Sequence, residues 1–194
     1  SISDVCYAVG YNSLGTFTTR FTQLVGLSPR HFRHFATQFT PSYFDNLYSH
    51  VKDLSCTIPA DDGFTGCVKV SKFFSGVIFV GLFSKPIPQN QPTSCTLLTT
   101  PGTYWMTPVP DGCYYIFAAA LNLSEDPLSY LLTDTALQGT TGPLIVRDGK
   151  ADGYTEVTLR PKQLTDPPLL IALPFLLTKF LATHRFSTRD ILLR

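Results

Sequence analysis

The sequence predicts an α+β chain: a helical N-terminal unit, then an antiparallel β-sandwich, then a C-terminal helix. Three observations carry this. Residues 1–38 place apolar side chains at helical spacing between serine caps and glycine stops. Residues 57–166 break into short apolar runs punctuated by Asp-Gly pairs. Residues 167–182 form one long apolar stretch interrupted by Pro174 and Lys179. Residues 39–56, rich in aromatics (Phe39, Tyr43, Phe44, Tyr48), link the first two parts, and the closing helical segment spans 167–194.

The N-terminal helices follow from local chemistry. Ile2, Val5, Cys6 and Val9 recur at helical spacing; Ser1 or Ser3 caps that helix and Gly10 ends it in a left-handed turn. Asn12 or Ser13 caps a second helix, whose apolar face is Leu14 or Phe17 with Phe21, Leu24 and Val25; Gly26 closes it. Ser28 is the next cap, and Pro29 takes the first helical position, where its missing N–H removes no bond. A third helix runs through His31, Phe32 and Phe35. A short helix, a glycine turn and a second helix make the geometry that lays a helix in the DNA major groove. Spacing alone fits an ordinary helical hairpin equally well.

The residues decide between them. Gly10-Tyr11-Asn12-Ser13, Phe17, Phe21, Gly26, Ser28-Pro29 and Phe32-Arg33 resemble the second helix-turn-helix of AraC/XylS-type transcription regulators, over about a sixth of the chain. The resemblance implies that residues 13–25 are a recognition helix with Phe17, Phe21 and Leu24 facing inward. It leaves Asn12, Ser13, Gly15, Thr16, Thr19, Arg20 and Gln23 to meet double-stranded DNA, with Arg30 and Arg33 beside them. Hydroxyls and guanidinium groups suit phosphate and base-edge contacts, although Arg20 also reads as a solvated surface charge. Members of that family often carry Arg or Gln where Gly15 and Thr19 stand here, so fewer bidentate base contacts are expected. The family's domain has two such units joined by a long helix. Only the second is present, which reads as a half-domain cut from a larger regulator.

The charge pattern is compatible with this. The whole chain carries only +1 and 15% charged residues, below the roughly 25% usual for soluble domains. Within residues 1–40, however, Arg20, Arg30 and Arg33 face a single acid, Asp4.

From residue 57 the texture changes. Asp62-Gly63, Asp111-Gly112, Asp148-Gly149 and Asp152-Gly153 are hairpin-turn signals. Strands are expected over 64–70, 77–83 (continuous and buried), 95–98, 103–108, 113–121, 144–147 and 155–160, with a loop over 122–142 in which Ser124 to Leu128 resembles a helix start. Seven short strands argue for a sandwich. Pro101-Gly102-Thr103-Tyr104 followed by Val109 to Tyr115 is similar to transthyretin-like and carboxypeptidase-regulatory-like modules, which implies a seven-stranded sandwich without catalysis.

Catalytic chemistry is not legible. Five cysteines (Cys6, Cys56, Cys67, Cys95, Cys113) form no Cys-x-x-Cys and read as free thiols. His31 and His34 lack a carboxylate or thiol at ligand spacing, and His50 and His184 stand alone, so no metal and no cofactor are expected. No nucleophile elbow, P-loop or dinucleotide fingerprint occurs, and Glu125-Asp126 points apart on a helix. Tyr104, Trp105, Tyr114 and Tyr115 line a pocket or, by strand alternation, the core. Residues 167–182 cover a sheet face or pair with another copy, and are too short for a membrane span. No signal peptide is evident.

The expectation is a cytoplasmic, non-enzymatic DNA-binding regulator whose β-domain senses a small-molecule effector or assembles a homodimer. The alternative is a ligand-binding or self-associating module that keeps a relic helix-turn-helix.

Overall fold

The computed structural model describes residues 1–36, 49, 63–71, 74–106, 109–122 and 136–167. The expected linker (except Ser49), the loop residues 123–135 and the expected C-terminal helix beyond residue 167 lie outside the described residues.

Three helices open the chain: α1 (Ile2–Ala8), α2 (Leu14–Val25) and α3 (Pro29–Ala36). Of the candidate caps, the structure selects Ser1 and Ser13. The Ser1 hydroxyl accepts from the Asp4 N–H at 3.2 Å, and the Ser13 hydroxyl from the Thr16 N–H at 3.4 Å. Ser28 does the same for α3, accepting from the His31 N–H at 3.3 Å. Each serine satisfies an amide that the first turn of a helix leaves without a partner. Gly26 ends α2 at φ +87°, a left-handed conformation that glycine adopts without a Cβ penalty, and its N–H reaches the Thr22 carbonyl at 2.9 Å. The core of this unit is an aromatic chain. Tyr11 meets Phe17 edge-on at 5.4 Å, Phe17 meets Phe21 at 5.8 Å, and Phe21 meets Phe32 at 5.9 Å. Cys6 and Phe17 are buried beside them, whereas Leu14 is exposed.

Among the described residues eight strands follow: β1 (Phe64–Val70), β2 (Gly76–Phe83), β3 (Ser94–Leu98), β4 (Gly102–Met106), β5 (Gly112–Asn122), β6 (Leu137–Arg147), β7 (Lys150–Asp152) and β8 (Glu156–Pro161). They form one sheet in the order β3-β2-β5-β6-β8-β1-β4, with β7 pairing on β6. Every pairing is antiparallel except β1 with β8, where Val68 stands opposite Val157 in a parallel register. The sheet curls until its end strands β3 and β4 lie alongside each other, which makes it nearly a barrel. The strand-rich α+β class holds, but the strands do not divide into the two stacked sheets expected of a sandwich. The parallel β1–β8 pair joins the halves into one hydrogen-bonded path.

Alternation explains the interior. Ile78, Val80 and Leu82 of β2, Ile116, Ala118 and Ala120 of β5, Leu144 and Val146 of β6, Val157 and Leu159 of β8, and Tyr104 and Met106 of β4 fill one buried cluster. Strand β2 is buried along its whole length, as its continuous apolar run implied. Two expectations need correction. The loop over 122–142 is shorter, because β6 already begins at Leu137. Of the three Asp-Gly pairs that lie wholly within the described residues, only Asp148-Gly149 forms a hairpin tip, with φ +48° and +72°. Asp111-Gly112 leads into β5, Gly63 precedes β1, and Asp152-Gly153 ends β7.

Candidate nucleic-acid interface

The functional candidate is built on α2. With 3.6 residues per turn, Thr16, Thr19, Arg20 and Gln23 fall on one face, at i, i+3, i+4 and i+7. All four are exposed, as are Asn12, Ser13 and Gly15 at the start of the helix. Phe17 and Phe21 occupy the opposite side, held in the aromatic chain. The cap on Ser13 and the packing of Phe17 therefore fix the rotation of the helix, so that its polar stripe faces away from the protein.

Arg30 and Arg33 on α3 are exposed too. Together with Arg20 they give the three-helix unit its excess of positive charge, against Asp4. Among the expected contacts, Ser13 carries a second duty, because its hydroxyl oxygen is already engaged as the α2 cap. The other side of α2 has its own hydroxyl bond, from Thr22 to the Thr18 carbonyl at 2.7 Å, so Thr22 does not compete for a ligand.

The far end of α2 holds a contact that sequence reasoning missed. The N–H of Asn90, in the loop between β2 and β3, donates to the Leu24 carbonyl at 2.8 Å. Leu24 lies in the last turn of α2, and Asn90 sits at φ +64°.

The β-unit shows polar clusters of another kind. Asp166 accepts from both Arg160 nitrogens at 2.7 Å, from the Gln163 N–H at 2.7 Å and from Gln138 Nε2 at 2.9 Å. The Arg160 guanidinium first, then the Gln163 amide, hold the Asp166 carboxyl well below the usual carboxylate range. This arrangement ties the segment after β8 to β6; every group in it is bonded within the protein. The cleft beside it, lined by Phe117, Gln138, Thr140 and Pro167, measures about 10 Å³. That is the space of a single water.

Of the aromatics considered for a pocket, Tyr104 and Tyr114 are core residues. The Tyr104 hydroxyl donates to the Thr155 carbonyl at 2.6 Å, and that of Tyr114 to the Pro110 carbonyl at 2.9 Å. Burial pushes the Tyr104 phenol far up. Trp105 and Tyr115 are half-buried. Among the described residues the cysteines (Cys6, Cys67, Cys95 and Cys113) are unbridged, no three metal-ligating side chains gather, and no helix is long and apolar enough to cross a membrane.

Residues 1–34 match the family of bacterial regulatory helix-turn-helix proteins, AraC family. The match covers α1, α2 and α3 as far as His34, with the exposed residues Asn12, Ser13, Gly15, Thr16, Thr19, Arg20, Gln23, Arg30 and Arg33. No curated protein and no solved structure matches the chain. The likeness of the β-unit to transthyretin-like modules is therefore without support from a relative.

Proposed function

We propose that this chain is a sequence-specific DNA-binding transcription regulator that reads the major groove of double-stranded DNA with α2. The supporting observation is the exposed stripe of Thr16, Thr19, Arg20 and Gln23 on a helix whose opposite face is locked by Phe17 and Phe21. Gln23 offers a carbonyl and an amide of the kind that bridge adenine, and the threonine hydroxyls serve as donor or acceptor to any base edge. Asn12, Ser13 and Gly15 bring the start of α2 close to the phosphates, where free helix N–H groups favour an anion. Arg30 and Arg33 flank the groove and hold the backbone. The residues set out here act by binding and orientation, and no catalytic step is assigned to them.

The β-unit is read as the part that senses a small molecule or assembles copies of the regulator. Its described interior is filled by side chains, and the cleft at Asp166 has the space of a single water. Selection of binding sites from random double-stranded DNA by the purified chain tests the reading. Enrichment of one short motif, lost when Thr19, Arg20 and Gln23 are replaced together by Ala, is the expected result. Recovery of no motif by the intact chain would refute it.

A further inference from the structure

The β2–β3 loop, residues 84–93, is stiffened by Pro86, Pro88 and Pro92, of which Pro88 is buried. It ends at the last turn of α2. The chain turns left-handed at Gly26, so no amide of its own helix is in place to reach the Leu24 carbonyl. The Asn90 N–H takes that position at 2.8 Å. Asn90 itself is left-handed, at φ +64°, a conformation that Asn tolerates better than most residues. Gly26 lies against the loop: a Cβ there would stand in ordinary van der Waals contact with Asn90 Oδ1 at 3.7 Å and Gln91 Cγ at 3.9 Å. While this contact is made, Thr16, Thr19, Arg20 and Gln23 all stay exposed.

We infer that the β2–β3 loop is a dock that holds α2 by its C-terminal end and sets the angle at which the β-unit carries it to DNA. Asn90 is a positioning residue: it touches no part of the reading face, and acts through the Leu24 carbonyl. The inference rests on the DNA-reading role of α2 for its consequence, but the dock itself does not. DNA binding and docking are compatible, because they use the side and the end of the same helix. The contact is thus a rigid coupling between the two units rather than a block on the site.

Two variants of the full chain and one property of the unaltered chain test this. Asn90→Pro removes the donor and forbids the left-handed conformation; Asn90→Gly keeps both. In the unaltered chain the Asn90 amide is expected to exchange with solvent at least about tenfold more slowly than an open loop amide. In N90P, affinity for the selected DNA is expected to fall about three- to tenfold, the range of one hydrogen bond. N90G is expected to stay within about twofold of the unaltered chain on the same ground. The salt dependence of binding should be unchanged in both, since no phosphate contact is lost. A general loss of fold would instead lower the unfolding midpoint of the β-unit, followed by Trp105. Fast exchange at Asn90, or equal losses in N90G and N90P, would overturn the dock. Slow Asn90 exchange in a chain that binds no DNA supports the dock while refuting the DNA-reading role.

Discussion

Replacing Phe17 by Ala should unfold the three-helix unit and leave the β-unit standing. Phe17 is one of the two inner rings of the aromatic chain, in contact with Tyr11 at 5.4 Å and Phe21 at 5.8 Å, and only 7% of it is exposed. Truncating a buried Phe to Ala removes about 3–5 kcal/mol. Each lost ring pair adds about 0.5–1.5 kcal/mol. A unit this small rarely holds more than about 3–5 kcal/mol in all, so the substitution takes away as much as the unit has. The β-unit has a separate core with no residue from α2 in it. The assay follows two signals through a urea titration. The helical band of far-UV circular dichroism reports helix, α1 to α3 among it. Trp105, the chain's one tryptophan, reports β4. The expected result is loss of much of the helical band before denaturant is added, with the Trp105 midpoint moved by no more than the loss of the Asn90 bond, about 1 kcal/mol. An unchanged helical band would refute the packing argument, and an equal collapse of both signals would refute the independence of the two cores.

Other outcomes follow from the same structure. In Gly66→Ala the new methyl group overlaps the Tyr104 ring and the Thr155 carbonyl, so the Tyr104–Thr155 bond must break or the β1–β8 pairing must shift. A loss of about 1–3 kcal/mol by chemical denaturation is expected for such overpacking. Asp166 has its folded pKa depressed below the unfolded value of about 3.9. Its contribution to stability is therefore complete above that value and is lost as pH falls through the lower folded pKa. Urea midpoints should decline below about pH 4 in the unaltered chain, and less steeply in Asp166→Asn, since the unfolded-state carboxyl begins to titrate there. Gln23→Ala should relax base preference at one position of the selected motif by about 1–3 kcal/mol, read as competition between matched and mismatched duplexes.

The legible parts of this molecule are those encoded locally. The alternation of Phe64 to Val70 gives β1 to the residue, and the unbroken run from Val77 to Phe83 gives a buried β2. The glycines at 10 and 26 and the serines at 1, 13 and 28 mark the helix ends, and the stripe on α2 follows from Phe17 and Phe21 facing inward. The first half of β6 was hidden because Gly139, Gly142 and Pro143 read as a loop. Gly139 is there because β8 passes close, with Val157 Cγ1 only 2.8 Å from where a Cβ would stand. Gly142, at φ +130° before a cis Pro143, lies where the register with β5 shifts between Tyr114 and Ile116. Both are consequences of tertiary contact that no local pattern announces. The curled single sheet was hidden for the same reason. It depends on the parallel meeting of β1 and β8, far apart in sequence. The Asn90–Leu24 contact was hidden twice over, since it joins two distant segments through backbone groups that every residue carries.

The central claim is that α2 and the arginines beside it grip DNA, and the salt dependence of binding tests it most directly. Each phosphate neutralised contributes about −0.9 to the slope of log affinity against log salt. Arg20, Arg30 and Arg33 together set a slope of about −2.7 per chain if all three meet phosphates. Measured on the selected duplex, replacing Arg30 and Arg33 with Ala should flatten the slope by about 1.8, at a similar loss of affinity for matched and mismatched sequences. A slope that does not change, in a chain whose helical band and Trp105 transition are intact, would contradict the account.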